Sequence, residues 1–313
     1  MNSHTPKTSH CGMISFMQAE AALHHQFEIA NSVICADALV ALSTVPSGIV
    51  DAIVTSPPYF GQRDYSHADQ IGNEQTPDAY IARLTAVFRE CRRVLKTRGT
   101  LWVNLGDKYQ DGQLLGMPWR LAFALQHDGW ILRSDVIWYK PNAMPSSVKN
   151  RFTTDHEYLF FLVKGEDYYF DTDAVREPHV TFSARSRMMG GRNHFGKRGG
   201  TPELGKNSGN PNLHTGRWDQ AFHPKGRNRR TVWEVPLSKF PDAHFAVFPE
   251  QLIEPCILAG SPSKGLVLDP FIGSGTTALV ALRLGRDFIG IDCNKHYCEM
   301  TMRRIAEQSP SLF

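Results

Sequence analysis

Short apolar runs alternate with helical patterns along most of this chain, and that alternation restricts the fold more than any other feature. Ser32–Ala36, Val50–Val54, Thr100–Asn104, Ile131–Tyr139, Glu157–Val163, Leu266–Leu268 and Phe288–Ile291 read as seven strands. Tyr80, Ile81, Leu84, Val87, Phe88, Cys91, Val94 and Leu95 recur at the spacing of one helix face. Thr76 caps that helix, Pro77 sits in its first turn and Gly99 stops it. Pro118 to Gly129 marks another helix, and the strands at 131–139 and 157–163 read as a long hairpin. The pattern predicts an α/β fold: a seven-stranded, mainly parallel, doubly wound sheet with helices on both faces and one antiparallel hairpin. The 313 residues, 42% hydrophobic and 21% charged, suffice for one large domain with an insert.

Other classes fall away on composition. No window approaches the roughly eighteen apolar residues of a membrane span. Residues 1–28 carry four histidines and no signal-peptide zones, and read as a flexible tail. Cys11, Cys35, Cys91, Cys256, Cys293 and Cys298 form no C-x-x-C pair. They read as buried free thiols of a cytoplasmic protein. Cys293, His296 and Cys298 fit no zinc spacing, so no metal is expected.

The net charge of +3 is unevenly placed. Between Ser183 and Arg230 lie eleven cations: Arg185, Arg187, Arg192, Lys197, Arg198, Lys206, Arg217, Lys225, Arg227, Arg229 and Arg230. Only Glu203 and Asp219 oppose them, which makes the window +9 and the rest of the chain −6. Nine glycines lie between 190 and 226, and Phe182, Phe195, Trp218 and Phe222 are interleaved with the cations. A basic segment carrying aromatics suits phosphate contact and base stacking. It divides the chain into a tail (1–28), a discontinuous domain (29–172 and 231–313) and a polyanion-binding insert (173–230), partly mobile until its partner arrives.

Two motifs carry chemistry. Leu266–Leu268 is a strand, with Asp269, Phe271, the Gly273-x-Gly275 turn and a helix beginning near Thr276 behind it. Glycines let a ligand approach the backbone, and a helix start offers N–H groups. Ala278 stands at the third position of the dinucleotide pattern, so the glycines alone leave a nicotinamide cofactor open. Asp292 ends the following strand, about where an acid accepts ribose hydroxyls; it equally suits a helix cap. Asp37 suits an adenine amino group or a cap. The second motif, Thr55-Ser56-Pro57-Pro58-Tyr59, leaves the strand ending at Val54. Its prolines stiffen the loop and donate no N–H. Ser56 Oγ and the Pro57 carbonyl can accept the two hydrogens of an exocyclic amino group, while Tyr59 stacks on the base. That localises the nitrogen lone pair for in-line attack on a sulfonium methyl, by positioning rather than by a strong base. Gly61–Gln75, with Arg63, Asp64 and Tyr65, reads as a lid or a connector.

With both motifs in this order, the sequence resembles the S-adenosylmethionine-dependent amino DNA methyltransferases of bacteria and phages, in their permuted beta arrangement, over roughly residues 30–307. The resemblance implies a Rossmann-like methyltransferase fold and S-adenosyl-L-methionine as cofactor. Asp269, Phe271, Gly273, Gly275, Thr276 and Asp292 would hold it, with Asp37 near the adenine and Phe248 at the end of the segment from Ala243 that closes over the methionine end. Ser56, Pro57, Pro58 and Tyr59 would be the catalytic loop, and Ile137–Asn142 would help hold a flipped base. The insert would recognise double-stranded DNA through Arg185, Arg187, Arg192, Lys197, Arg198, Arg217, Lys225, Arg227, Arg229 and Arg230. A cognate restriction endonuclease is an implied companion, and nothing in the chemistry demands a dimer. Relatives with Ser before Pro-Pro-Tyr generally act on cytosine N4, and those with Asp on adenine N6. Cytosine N4 is therefore the expected target and adenine N6 the alternative. A silent DNA-binding regulator would bind DNA without turnover. Methylation of protein or RNA would keep the chemistry but change the substrate, and the long basic insert favours DNA.

Overall fold

A computed structural model describes residues 12–15, 29–62, 70–178, 225–237 and 248–308. Residues 63–69 of the proposed lid, Ala243–Val247 and all insert cations from Arg185 to Arg217 lie outside the described residues. The described residues group into two compact units, one reaching Asp171 and resuming at Thr231, the other spanning Thr172–Arg230.

The first unit is built on one sheet. Its strands are β1 (Gly12–Ser15), β2 (Ser32–Cys35), β3 (Val50–Thr55), β4 (Leu95–Leu105), β7 (Ile131–Tyr139), β8 (His156–Val163), β9 (Val232–Glu234), β10 (Leu266–Asp269) and β11 (Asp287–Asp292); β5 (Tyr109–Gln110) and β6 (Gln113–Leu114) form a separate hairpin. The sheet order is β1-β2-β11-β10-β3-β4-β8-β7-β9. Every neighbouring pair is parallel except those made by β8. The predicted mainly parallel α/β sheet with one antiparallel hairpin is observed, with nine strands in place of seven. The additions are short edge strands. Gly12–Ser15, expected in a flexible tail, pairs in register with β2; four residues with two apolar ones give no readable period.

Helices are α1 (Ala38–Thr44), α2 (Pro77–Val94), α3 (Met117–His127), α4 (Glu250–Gly260), α5 (Thr276–Arg283) and α6 (Lys295–Gln308). In α2, Thr76 Oγ1 accepts from Ala79 N at 3.2 Å, as its sequence position predicts. Tyr80, Leu84, Phe88 and Cys91 bury its inner face, each large apolar side chain stabilising by about 1.5–3 kcal/mol. The helix stops at Val94 rather than running to Gly99, because Leu95 turns extended and opens the eleven-residue β4. Pairing with β3 and β8 along its length outweighs the helical period.

Strand side chains alternate between two faces. Ile53, Leu101, Leu268 and Ile289 join one core with the inner faces of α1, α2 and α3. Ala52, Trp102, Val267 and Phe288 point the other way, toward the side packed by α4, α5 and α6. The chain leaves β3 through α2 to β4, and leaves adjacent β10 through α5 to β11 on the other side. The strand order reverses there. Parallel sheets bind ligands in the crevice outside the strand carboxyl ends at such a switch point.

No helix among the described residues is long and apolar enough to cross a membrane.

Candidate active site

The carboxyl ends of β3 and β10 are tied together at the reversal. Ile53 pairs with Leu268, so Thr55 and Asp269 emerge side by side. Thr55 Oγ1 donates to Asp269 Oδ1 at 2.6 Å, Thr277 Oγ1 donates to Asp269 Oδ2 at 2.6 Å, and Phe271 N adds a third bond at 3.0 Å. Asp269 is buried, and burial pushes its carboxyl up to about 6 despite those donors. Both its oxygens are thus committed inside the protein. It joins the two sequence motifs.

The glycine turn is braced from two sides. Gly273 N donates to Asp292 Oδ2 at 3.0 Å, and Asn294 N to Asp292 Oδ1 at 2.8 Å. Burial raises the Asp292 carboxyl to about 6. From α6, Thr301 Oγ1 donates to Gly273 O at 2.8 Å, and Arg304 holds Ser274. Gly275 has φ +88°, and a Cβ there would meet Thr301 Cγ2 at 2.7 Å, so the close approach of α6 requires glycine. Thr276 Oγ1 is buried with no hydrogen-bond partner among the described residues. Asp292 is not the cap of α6; Asn294 is, its Oδ1 accepting from His296 N at 2.9 Å. Asp37 does cap α1, with Oδ1 accepting from Leu39 N at 2.9 Å and Val40 N at 3.3 Å. Cys35 pairs with Asp292, which brings Asp37 and Asp292 to the same sheet edge. Phe271 and Phe248 are half-buried.

The Ser-Pro-Pro-Tyr loop carries a network that sequence reading missed. Ser56 Oγ donates to Tyr59 Oη at 3.4 Å. Tyr59 Oη donates to Glu157 Oε2 at 2.7 Å and lies 3.2 Å from Asn104 Oδ1. Asn104 Nδ2 donates to Glu157 Oε2 at 3.0 Å, and Lys140 pairs with Glu157 Oε1. Burial, then the Glu157 charge, push the Tyr59 phenol well above its usual value, so it stays protonated. Tyr80 Oη occupies the Pro58 carbonyl at 2.8 Å, and no described residue donates to the Pro57 carbonyl. The available signals were Asn104, a polar residue inside an apolar strand, and Lys140 with Glu157 at facing ends of the hairpin.

In the second unit, Glu177 and Arg227 exchange backbone bonds at 2.9 and 2.8 Å. A Cβ on Gly226 (φ +113°) would lie 2.2 Å from Glu177 O. Of the expected DNA-contacting cations, Lys225 pairs with Asp173 at 3.0 Å and Arg227 with Glu177 at 3.1 Å. Both therefore close the base of the insert.

Comparison with solved proteins gives the class first. PvuII DNA methyltransferase (cytosine-N4-specific) superimposes with a TM-score of 0.64 at 20% identity, covering 90% of each chain. TTHA0409 of Thermus thermophilus, in complex with S-adenosyl-L-methionine, gives 0.57 at 23% identity, covering 89% of this chain and 95% of its own. The fold is that of the Rossmann-like methyltransferases. The family model described as DNA methylase, for N6 and N4 methyltransferases, matches residues 50–303. Type II methyltransferase M.Cfr9I of Citrobacter freundii is 42% identical over 298 residues, covering 86% of this chain and 85% of its own. M.SmaI of Serratia marcescens is 38% identical over 321 residues, covering 93% and 95%. The chain belongs to the N6/N4 amino DNA methyltransferase family.

Proposed function

We propose that the protein transfers a methyl group from S-adenosyl-L-methionine to the N4 amino group of a cytosine flipped out of double-stranded DNA at a specific site. The Thr55–Asp269 hydrogen bond carries this reading. It sets the amino-gripping loop beside the glycine turn at the switch point, where donor and acceptor of a group transfer must meet. The residues fit the donor. Asp292 and Asp37 share its edge, Phe248 and Phe271 offer half-buried apolar surface, and the orphaned Thr276 hydroxyl lacks the partner a ligand can provide. The bound donor supplies an electrophilic methyl on sulfur. Asp269 positions its loop from behind.

Ser56 Oγ and the Pro57 carbonyl accept the amino hydrogens and aim the lone pair. Tyr59, anchored by its hydroxyl, presents its ring to the base. Flipping costs a few kcal/mol, which stacking and phosphate contacts offset. The insert's basic side chains, Arg229 and Arg230 among them, supply the phosphate contacts. The β7–β8 loop leaves the same edge as Ser56 and carries Lys149, Arg151, Met144 (83% exposed) and Phe152 (96% exposed). Exposed apolar side chains beside cations suit insertion at an opened base step. The relatives are named as type II methyltransferases, which supports a restriction endonuclease as companion.

Ser56 supports cytosine over adenine, since its hydroxyl stands where adenine-N6 relatives generally carry a carboxylate. Adenine N6 is the second reading, because Glu157 brings a carboxylate within one hydroxyl of Ser56. Mass spectrometry of nucleosides from treated DNA tests both. N4-methylcytosine is expected, N6-methyladenine would transfer the assignment, and neither product would end it.

A further inference from the structure

The chain from Ser56 to Glu157 does more than hold a loop. A hydroxyl can accept a hydrogen bond from an amino group, but it cannot keep the proton that the methylated nitrogen must shed. Ser56 Oγ lies 3.4 Å from Tyr59 Oη, which lies 2.7 Å from Glu157 Oε2. Donor follows donor in one direction along that path. At its end the carboxylate faces Tyr59 from the β3 loop, Asn104 from β4 and Lys140 from just past β7. Its chain neighbours His156 and Asp155 contact each other at 3.3 Å. Gly106 leaves the room: a Cβ there would meet Tyr59 Cε2 at 2.8 Å and Glu157 Oε1 at 3.2 Å.

We propose that Glu157 is the terminal acceptor for the proton released on amino methylation, reached from Ser56 through the Tyr59 hydroxyl. The inference rests on the amino-methyltransferase reading and deepens it. The amino nitrogen's lone pair forms the N–C bond as the C–S bond breaks and its electron pair stays on sulfur. The cationic nitrogen then gives one proton to Ser56 Oγ, Ser56 gives its own to Tyr59 Oη, and Tyr59 gives its own to the Glu157 carboxylate. Each hydroxyl ends neutral, and Glu157 ends protonated beside Lys140. After the product departs, that proton returns to water. Glu157 touches no substrate; it is a positioning residue that acts through Tyr59. The raised phenol fits this role, because a tyrosine that stays protonated passes a proton on without storing charge.

The test compares Glu157→Gln, Glu157→Asp, Tyr59→Phe and the Glu157→Gln/Tyr59→Phe double variant in single-turnover methylation. Donor and DNA affinities are measured in parallel. Glu157→Gln is expected to slow transfer about ten- to a hundredfold, with both affinities within about twofold of the unaltered protein. Glu157→Asp should recover part of the rate, and the double variant should be no slower than the slower single one. In the ligand-free protein, ultraviolet titration of the Tyr59 phenol should shift down in Glu157→Gln. An unchanged rate in Glu157→Gln, or losses that multiply in the double variant, would overturn the relay. If Glu157→Gln fails to fold, an unchanged rate in Tyr59→Phe does the same. If the unaltered protein methylates no DNA, the parent reading fails instead, and a phenol titration indifferent to Glu157 separately refutes the Tyr59–Glu157 coupling.

Discussion

Ser56→Ala deletes one acceptor while leaving the two prolines and the Tyr59 ring in place. Methyl transfer should fall about 10²–10³-fold with DNA affinity little changed, measured by labelled methyl transfer beside a binding titration. Asp292 predicts a pH effect. Its carboxyl, raised to about 6, accepts at full strength from both Gly273 N and Asn294 N when ionised, and protonation turns one of the two oxygens into a weaker acceptor. Donor affinity should therefore weaken as pH falls through about 6, and Asp292→Asn should bind weakly with a much flatter profile, read by calorimetry at several pH values. The individual site residues were unevenly legible. Ser56, Gly273 and Asp292 stand in recognisable local patterns. Glu157 and Asn104 do not, because what unites them with Tyr59 is the pairing of β4 with β8, fifty residues apart. Asp269 was legible as part of the turn, but not as the joint to Thr55, which is 214 residues away.

At the scale of elements, the junction of β3, β10 and α5 is the most exacting. Thr55→Val leaves Asp269 Oδ1 with the Phe271 N–H alone and should cost about 1–3 kcal/mol, seen as a lowered urea midpoint at unchanged slope. The sign of its pH dependence follows from the raised carboxyl. Asp269, about 6 when folded against an ordinary 3.8, favours the fold most below 3.8, and that contribution is lost as pH rises through about 6. Losing a donor to the ionised form raises the folded value further, so Thr55→Val should destabilise more at pH 8 than at pH 5. Gly275→Ala should cost about 1–3 kcal/mol through its positive φ and the Thr301 contact, checked by the same denaturation. Central strands and α2 were plain in the sequence because apolar periods of two and 3.6 leave marks. Edge strands β1 and β9 leave few such marks, and β4 hid its first residues inside the helical period.

For the molecule as a whole, charge is the lever. If four to six insert cations neutralise phosphates, the logarithm of DNA affinity should fall against the logarithm of salt with a slope of about −4 to −5. Fluorescence anisotropy at stepped salt measures it, and a slope near zero would show that the insert does not grip the backbone. The segment's basic character was visible from composition alone, whereas the closure of its base was not. Glu177, Arg227, Asp173 and Lys225 lie about fifty residues apart, and only the folded chain shows them clasped. If the excursion fastened at this neck is the DNA reader, it behaves like an interchangeable tool head. Grafting another reader above Glu177 and Arg227 should redirect which DNA words are marked while the methyl-transfer engine runs unaltered.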